Sequence, residues 1–225
     1  MQDLPTAAHL ASTDLIDSEH PSVVAFAHRV GGADAVSPRE RAVRLYGAVR
    51  DGFRYDPYHI DLAPAGMRAS QVLAIGHGWC VTKAALLAAA ARAIGIPARV
   101  GCADVRNHLA TERMRRELQT DLFVWHGYTE LWLDGAWVKS TPAFNLQLCE
   151  RFGLLPLDWD GRSDSLYHPY DRGGRRHMEY VRQRGSFDDV PLARIVADFA
   201  ATYPAWRPGD TLGADFERDA GQEPR

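Results

Sequence analysis

Residues Gly76 to Arg99 read GHGWCVTKAALLAAAARAIGIPAR. Val81 to Ala93 contains no proline, no glycine and few β-branched residues, so intrinsic propensity predicts a helix. Only Thr82, Lys83 and Arg92 are polar within it, so the helix is apolar on nearly every side and belongs inside a core. Gly95 stops it, and Ile96-Pro97-Ala98 leads into a strand predicted around Arg99 to Cys102. Cys80 stands at or just before the helix start. Unpaired backbone N–H groups and the helix dipole there favour a thiolate, which predicts a thiol pKa below the ~8.5 of free cysteine. A lone cysteine beside a buried helix also serves as a small hydrophobe, so Cys80 alone decides nothing.

Upstream, residues 1–19 read as an irregular lead-in. His20-Pro21-Ser22 opens a helix predicted over Val23 to Val30, and Gly31-Gly32 closes it. Ser37 as N-cap, Pro38 in the first turn and Glu40 at the capping-box position open a second helix, Pro38 to Arg50. It places Ala42, Leu45, Tyr46 and Val49 on one face. Phe53 to Tyr58 is extended, with Pro57 excluding helix, and Ser70 opens a further helical turn before the Cys80 loop.

Downstream, residues 104–120 are polar, with a short exposed helix predicted over Glu112 to Leu118. This segment is a solvated connection or a flap over the site. Leu122 to Asn145, LFVWHGYTELWLDGAWVKSTPAFN, is rich in aromatic and β-branched residues, and Asp134-Gly135 signals a two-residue hairpin. A tight turn sets Leu133 opposite Ala136, Trp132 opposite Trp137 and Glu130 opposite Lys139, an opposite-charge cross-strand pair. Extending the ladder sets Tyr128 opposite Thr141 and His126 opposite Ala143. His126, Tyr128, Thr141 and Asn145 then share one face; Phe123, Trp125, Leu131, Leu133 and Val138 form the apolar one. A histidine beside hydroxyl and amide groups that fix its tautomer is what a nucleophilic cysteine needs.

The 225 residues fit one domain, and a net charge of −3 gives no general attraction to nucleic acid or anionic membranes. Of 26 basic residues only Lys83 and Lys139 are lysines, which reads first as a compositional bias of the source. Cys80, Cys102 and Cys149 cannot all pair within one chain, and no Cys/His spacing suggests zinc. No basic-then-apolar leader and no run of ~20 apolar residues is visible, so a reduced, cytoplasmic setting without a membrane is expected.

Three blocks resemble the transglutaminase-like superfamily, relatives of the papain-like cysteine enzymes. The first is Gly78-Trp79-Cys80, Ala84, Leu86-Leu87, Arg92 and Gly95-Ile96-Pro97-Ala98-Arg99; the second is His126, Glu130 and Trp132; the third runs from Trp137 through Lys139 to Asn145. The resemblance covers about Tyr55 to Asn145. It implies an α+β, papain/transglutaminase-like fold, with a central nucleophile helix packed against an antiparallel sheet, and a Cys-His-Asp triad. Cys80 and His126 carry over. The family's aspartate position is Thr141 here, which can accept an imidazole hydrogen bond without supplying charge. Asn145 is the other candidate, because papain-like enzymes use asparagine in that role.

The expected organisation is one domain: an N-terminal helical part (20–60), a transglutaminase-like core (61–147) and a C-terminal extension (148–225) with a frayed tail from Trp206. In the extension, Val190 to Ala201 is an amphipathic helix. Asp158 to Arg184 is dense in charge and reads as ion-paired surface, or as a cover that brings Arg175, Arg176 or His177 to a substrate anion. His168, His177 and Glu179 are too unspecific a set for a metal site, so no metal and no cofactor is expected. The leading expectation is a cysteine hydrolase, protease or acyltransferase acting on an amide bond in a peptide, protein or small amide. Cys80 attacks, His126 is the acid/base, Tyr55 or Gln71 helps hold the oxyanion, and Trp79 contacts substrate. The competing expectation is a non-catalytic binding module that keeps the fold and has lost the acid. Substrate identity and oligomeric state are not encoded legibly.

Overall fold

The structure is a computed structural model and describes residues 3–222 except 33, 35, 36, 109, 168, 169, 206, 208–211 and 214. Two helices lead the chain: α1 (Pro21–Gly31), where the His20 side chain accepts the Ser22 N–H, and α2 (Pro38–Gly52), where the Ser37 hydroxyl accepts the Glu40 N–H. Each satisfies a donor that a helix start leaves orphaned. A two-residue strand β1 (Arg54–Tyr55) then precedes α3 (Pro64–Met67) and α4 (Ala69–Ile75), and pairs in parallel with β2 (His77–Gly78). That pairing brings the end of α2 alongside the turn that holds Cys80.

The helix predicted from Val81 is α5 (Cys80–Ala93), and every residue from Cys80 to Arg92 is buried. It packs on β3 (Ala98–Asn107) and β4 (Leu122–Leu133), which α6 (Glu112–Leu118, with Met114 buried) links in the chain, and is enclosed elsewhere by α1, α2 and α4. Its alanines let the sheet approach closely. A methyl group added at Gly127 would lie 2.8 Å from the Val81 Cα, so the contact requires glycine on one side. Two charges enter this core and both are spent on carbonyls. Lys83 Nζ donates to Arg50 O, Phe53 O and Ala143 O at 2.9, 2.6 and 2.7 Å. Arg92 donates to Ala98 O, Ala11 O and Asp188 O. Three ammonium donors meeting three acceptors is the condition under which a buried lysine is tolerated.

The main sheet is antiparallel in the order β5-β4-β3-β6, with β5 at Ala136–Ser140, then α7 (Leu146–Phe152) and β6 (Met178–Phe187). The hairpin register is the predicted one, Leu133↔Ala136, Trp132↔Trp137 and Glu130↔Lys139, with Asp134 and Gly135 both at positive φ, 49° and 87°. The charges do not pair as expected. The Glu130 carboxylate accepts from Arg99 Nε at 2.6 Å, while Lys139 Nζ lies over the Tyr128 ring at 5.5 Å. The pairing stops at Ser140↔Thr129, so Tyr128 and Thr141 are not ladder partners. On the α5 side of β4, the Thr129 hydroxyl donates to Ala84 O.

A bulge interrupts the β3–β4 ladder just before His126. Ala103 pairs with His126 and Val105 with Phe123, leaving Val124 and Trp125 opposite Asp104 alone, and Trp125 has φ 63°. A bulky residue in the left-handed region needs outside support. The Asp104 carboxylate accepts the Trp125 N–H at 3.1 Å, Asp198 accepts the indole N–H at 2.9 Å, and Arg184 bridges both carboxylates. Arg184 comes from β6 and Asp198 from α8 (Leu192–Thr202). β6 and α8 are thus built into the sheet and against β4. The last described element is α9 (Phe216–Gln222), within the stretch where a frayed tail was expected from Trp206; residues 206 and 209 lie outside those described.

Candidate functional site

Gly78 and Trp79 set the approach to Cys80. A side chain at Gly78 would meet the Thr82 Oγ1 at 2.7 Å. That hydroxyl accepts the Trp79 N–H at 3.1 Å and donates to the Trp79 carbonyl at 3.2 Å, so the turn into α5 is pinned from both ends. Burial pushes the Cys80 thiol up to about 12, against the opposing pull of the Gly127, Val81 and Cys80 backbone N–H groups that face the sulfur. The depressed value expected from the helix start is therefore not what this environment gives: with Cys80 5% exposed, desolvation outweighs the amides.

His126 sits just past the bulge, its ring 4.9 Å from Tyr167 and 6.4 Å from Tyr180. Burial holds the imidazole neutral and pushes its pKa down to about 3, with a smaller push from His177. Its Nε2 is buried without a hydrogen-bond partner, and so is Thr141 Oγ1. The expected Thr141–His126 bond is not formed; the Tyr180 hydroxyl lies toward Thr141 without closing a hydrogen bond. Asn145 is committed elsewhere, with Oδ1 accepting the Tyr55 N–H and Nδ2 donating to Gln147. The carboxylates of the acidic stretch after α7 are also occupied: Asp158 by Arg50, Asp160 by the Arg162 and Ser163 N–H groups, Asp164 by the Lys139 N–H. Among the described residues no carboxylate is bonded to His126.

Cys80 and His126 nevertheless line one internal cavity of about 100 Å³, together with Tyr55, Trp79 and His177. Tyr55 is half-buried with its ring packed beside the thiol, and desolvation of the phenol keeps it protonated well above the usual range. His177, from the C-terminal part, is 4% exposed and stacks on Phe144. Three expected site residues are placed elsewhere. Gln71 lines a separate cleft on the far side of Trp79, with His59 and His77. Arg175 pairs with Asp171 at 2.7 Å, and Arg176 with Glu179 at the surface, and neither lines the cavity. His168 lies outside the described residues, and among those described no set of three or more ligating groups is placed to hold a metal.

Several cavity walls carried no sequence signal. Phe199 of α8 packs edge-on to Trp79, Tyr203 just past the helix packs on Phe199, and the Tyr203 hydroxyl accepts the Val124 N–H at 2.9 Å. Leu212 and Phe216 close another side, tied down by a hydrogen bond from the Leu212 N–H to Tyr58 O and by the Arg113–Asp219 ion pair. Aromatic spacing alone cannot say which surface such residues cover.

The sequence profile of the transglutaminase-like superfamily matches residues 24–142, more than half of the chain. The chain belongs to the transglutaminase-like superfamily. Its match includes Tyr55, Trp79, Cys80, His126 and Thr141, and stops before Asn145, β6 and α8. No curated protein matches the chain. Among solved structures, a "putative cysteine protease" from Cytophaga hutchinsonii superposes with a TM-score of 0.51 at 15% identity, covering 85% of this chain and 50% of that one. A "putative protease" from Parabacteroides distasonis gives a TM-score of 0.41 at 19% identity over 63% of this chain and 27% of that one, too distant to add to the reading. The first likeness supports the mixed α/β transglutaminase-like fold, and this superfamily member spans about half the length of that structure. No helix among the described residues is long and apolar enough to cross a membrane.

Proposed function

We propose that this chain is a cysteine enzyme that cleaves or transfers acyl groups at amide bonds through a thioester on Cys80, with His126 as the acid/base. The observation that carries it is the opening of both side chains, one at a buried helix start and one on the neighbouring strand, into a single cavity. With the thiol and imidazole both neutral at rest, attack and proton transfer are coupled. The sulfur bonds the carbonyl carbon as its proton passes to His126, and the C–N bond then breaks as that proton passes to the leaving amine. Water or an amine attacks the thioester, giving one proton through His126 back to the sulfur. The Cys80 N–H and the protonated Tyr55 phenol serve the oxyanion, and Trp79 and His177 contact the substrate.

The unpartnered His126 Nε2 supports a second reading, a binding module that keeps the fold without turnover. Turnover of N-acyl p-nitroanilides at pH 7 to 9 separates the two. The enzyme reading expects cleavage that is lost in Cys80→Ala and slowed at least tenfold in His126→Ala. Absence of cleavage by the folded wild-type protein supports the binding module.

A further inference from the structure

The ionisable groups in the described wall of the Cys80–His126 cavity are its two imidazoles, its thiol and its phenols. Among its described lining residues there is no aspartate, glutamate, lysine or arginine, and aromatic and aliphatic groups such as Phe123, Phe144, Met178 and Phe216 make up most of it. Arginines on the elements around it are ion-paired, Arg113 with Asp219 at 2.7 Å and Arg151 with Glu217 at 3.5 Å. A substrate ammonium seated here would be stripped of water without a carboxylate partner, and a substrate carboxylate would meet no arginine or lysine and only the desolvated imidazoles, whereas an alkyl or aryl group would lose nothing by leaving water. The room is also limited. An apolar cavity of about 150 Å³ in another protein holds benzene, so one of about 100 Å³ suits a group of roughly four to six carbons.

We propose that the acyl group transferred to Cys80 is a short, uncharged apolar one, seated in this aromatic cavity with its carbonyl carbon at the sulfur. The inference rests on the cysteine-enzyme reading and adds the chemical class of its acyl donor. Acylation forms the Sγ–C bond, breaks the bond to the leaving group and hands the thiol proton to that group through His126; hydrolysis returns the acid and the thiol. A polar carboxamide side chain is a poor fit to the wall, and a charged acyl group a worse one.

The test is a chain-length series of p-nitrophenyl esters from acetate to decanoate, with p-nitrophenyl succinate as the charged match to the butyrate. Release of p-nitrophenolate gives kcat/KM, and intact mass gives the acyl adduct on Cys80. Each added methylene is expected to raise kcat/KM about three- to fourfold until the cavity fills near hexanoate, after which it falls. The succinate is expected at least 100-fold below the butyrate. Phe152→Ala, which removes a half-buried wall ring packed on Phe216 at 5.9 Å, moves the optimum toward longer chains. Acylation of Cys80 with a flat chain-length profile, or with succinate as good as butyrate, overturns the apolar-donor inference and leaves the enzyme reading standing. Failure of every ester to acylate Cys80 overturns both.

Discussion

Lys83→Met tests how the core tolerates a cation. Met matches the length and shape of the lysine stem but removes the donors to Arg50 O, Phe53 O and Ala143 O. Orphaning buried acceptors costs about 1–3 kcal/mol each. Against this stands the desolvation of the ammonium, which pushes the Lys83 pKa from 10.5 down to about 7, with Asp51 opposing and Arg50 reinforcing the shift. A folded pKa below the unfolded one means that between pH 7 and 10.5 the unfolded chain holds the proton that the folded chain has released. Wild-type stability therefore rises with pH through that window, at up to about 1.4 kcal/mol per pH unit. The penalty is roughly 4 kcal/mol at pH 7 and has shrunk by roughly 3 kcal/mol at pH 9.5. The Met variant lacks this dependence. It should lie close to wild type at pH 7 and fall roughly 3 kcal/mol behind it by pH 9.5, with groups common to both cancelling in the difference. Urea unfolding followed by tryptophan fluorescence at half-unit intervals gives the curve. A difference that is large and flat across the range refutes the reasoning, and shows that the three carbonyls keep Lys83 charged.

Three other outcomes follow from the packing. Gly127→Ala drives a methyl group against the Val81 backbone and should destabilise by about 1–3 kcal/mol, with the Cys80 labelling rate changed; an unchanged melting curve contradicts the close α5–β4 contact. Asp104→Asn leaves the buried Arg184 short of one carboxylate and weakens the hold on Trp125, for a loss of about 3 kcal/mol by urea unfolding; a loss under about 0.5 kcal/mol says the bulge supports itself. Thr141→Asp restores a carboxylate where the superfamily carries one, and should raise the His126 pKa from about 3 by several units in an NMR titration while lowering stability. An unmoved His126 resonance means that position 141 does not reach the ring.

What the sequence made legible was local. The Ser37 cap, the run from Val81 and the Asp134-Gly135 turn each carry their cause within a few residues, and each stands where it was expected. Of the candidate site, Cys80 and His126 line one cavity, each on the element the sequence assigned to it. What failed depended on partners far along the chain. Glu130 answers to Arg99 rather than to its neighbour Lys139, and the Trp125 bulge depends on Arg184 and Asp198. The polar run Met178–Phe187 shows no alternation because much of it is exposed at the sheet edge, so its place beside β3 could not be read from pattern. The thiol pKa was misjudged for a related reason: the helix start is visible in sequence, the depth of burial is not.

The walls of the cavity are contributed by stretches far apart along the chain, and this has a consequence in time. A ribosome adding about 5–20 residues per second delivers Cys80 roughly ten seconds before Phe216 can close against Tyr55 and Tyr58. Through that interval the pocket that Cys80 lines lacks the wall that Leu212 and Phe216 later supply, so the cavity takes its final shape only after the elements around it have already packed.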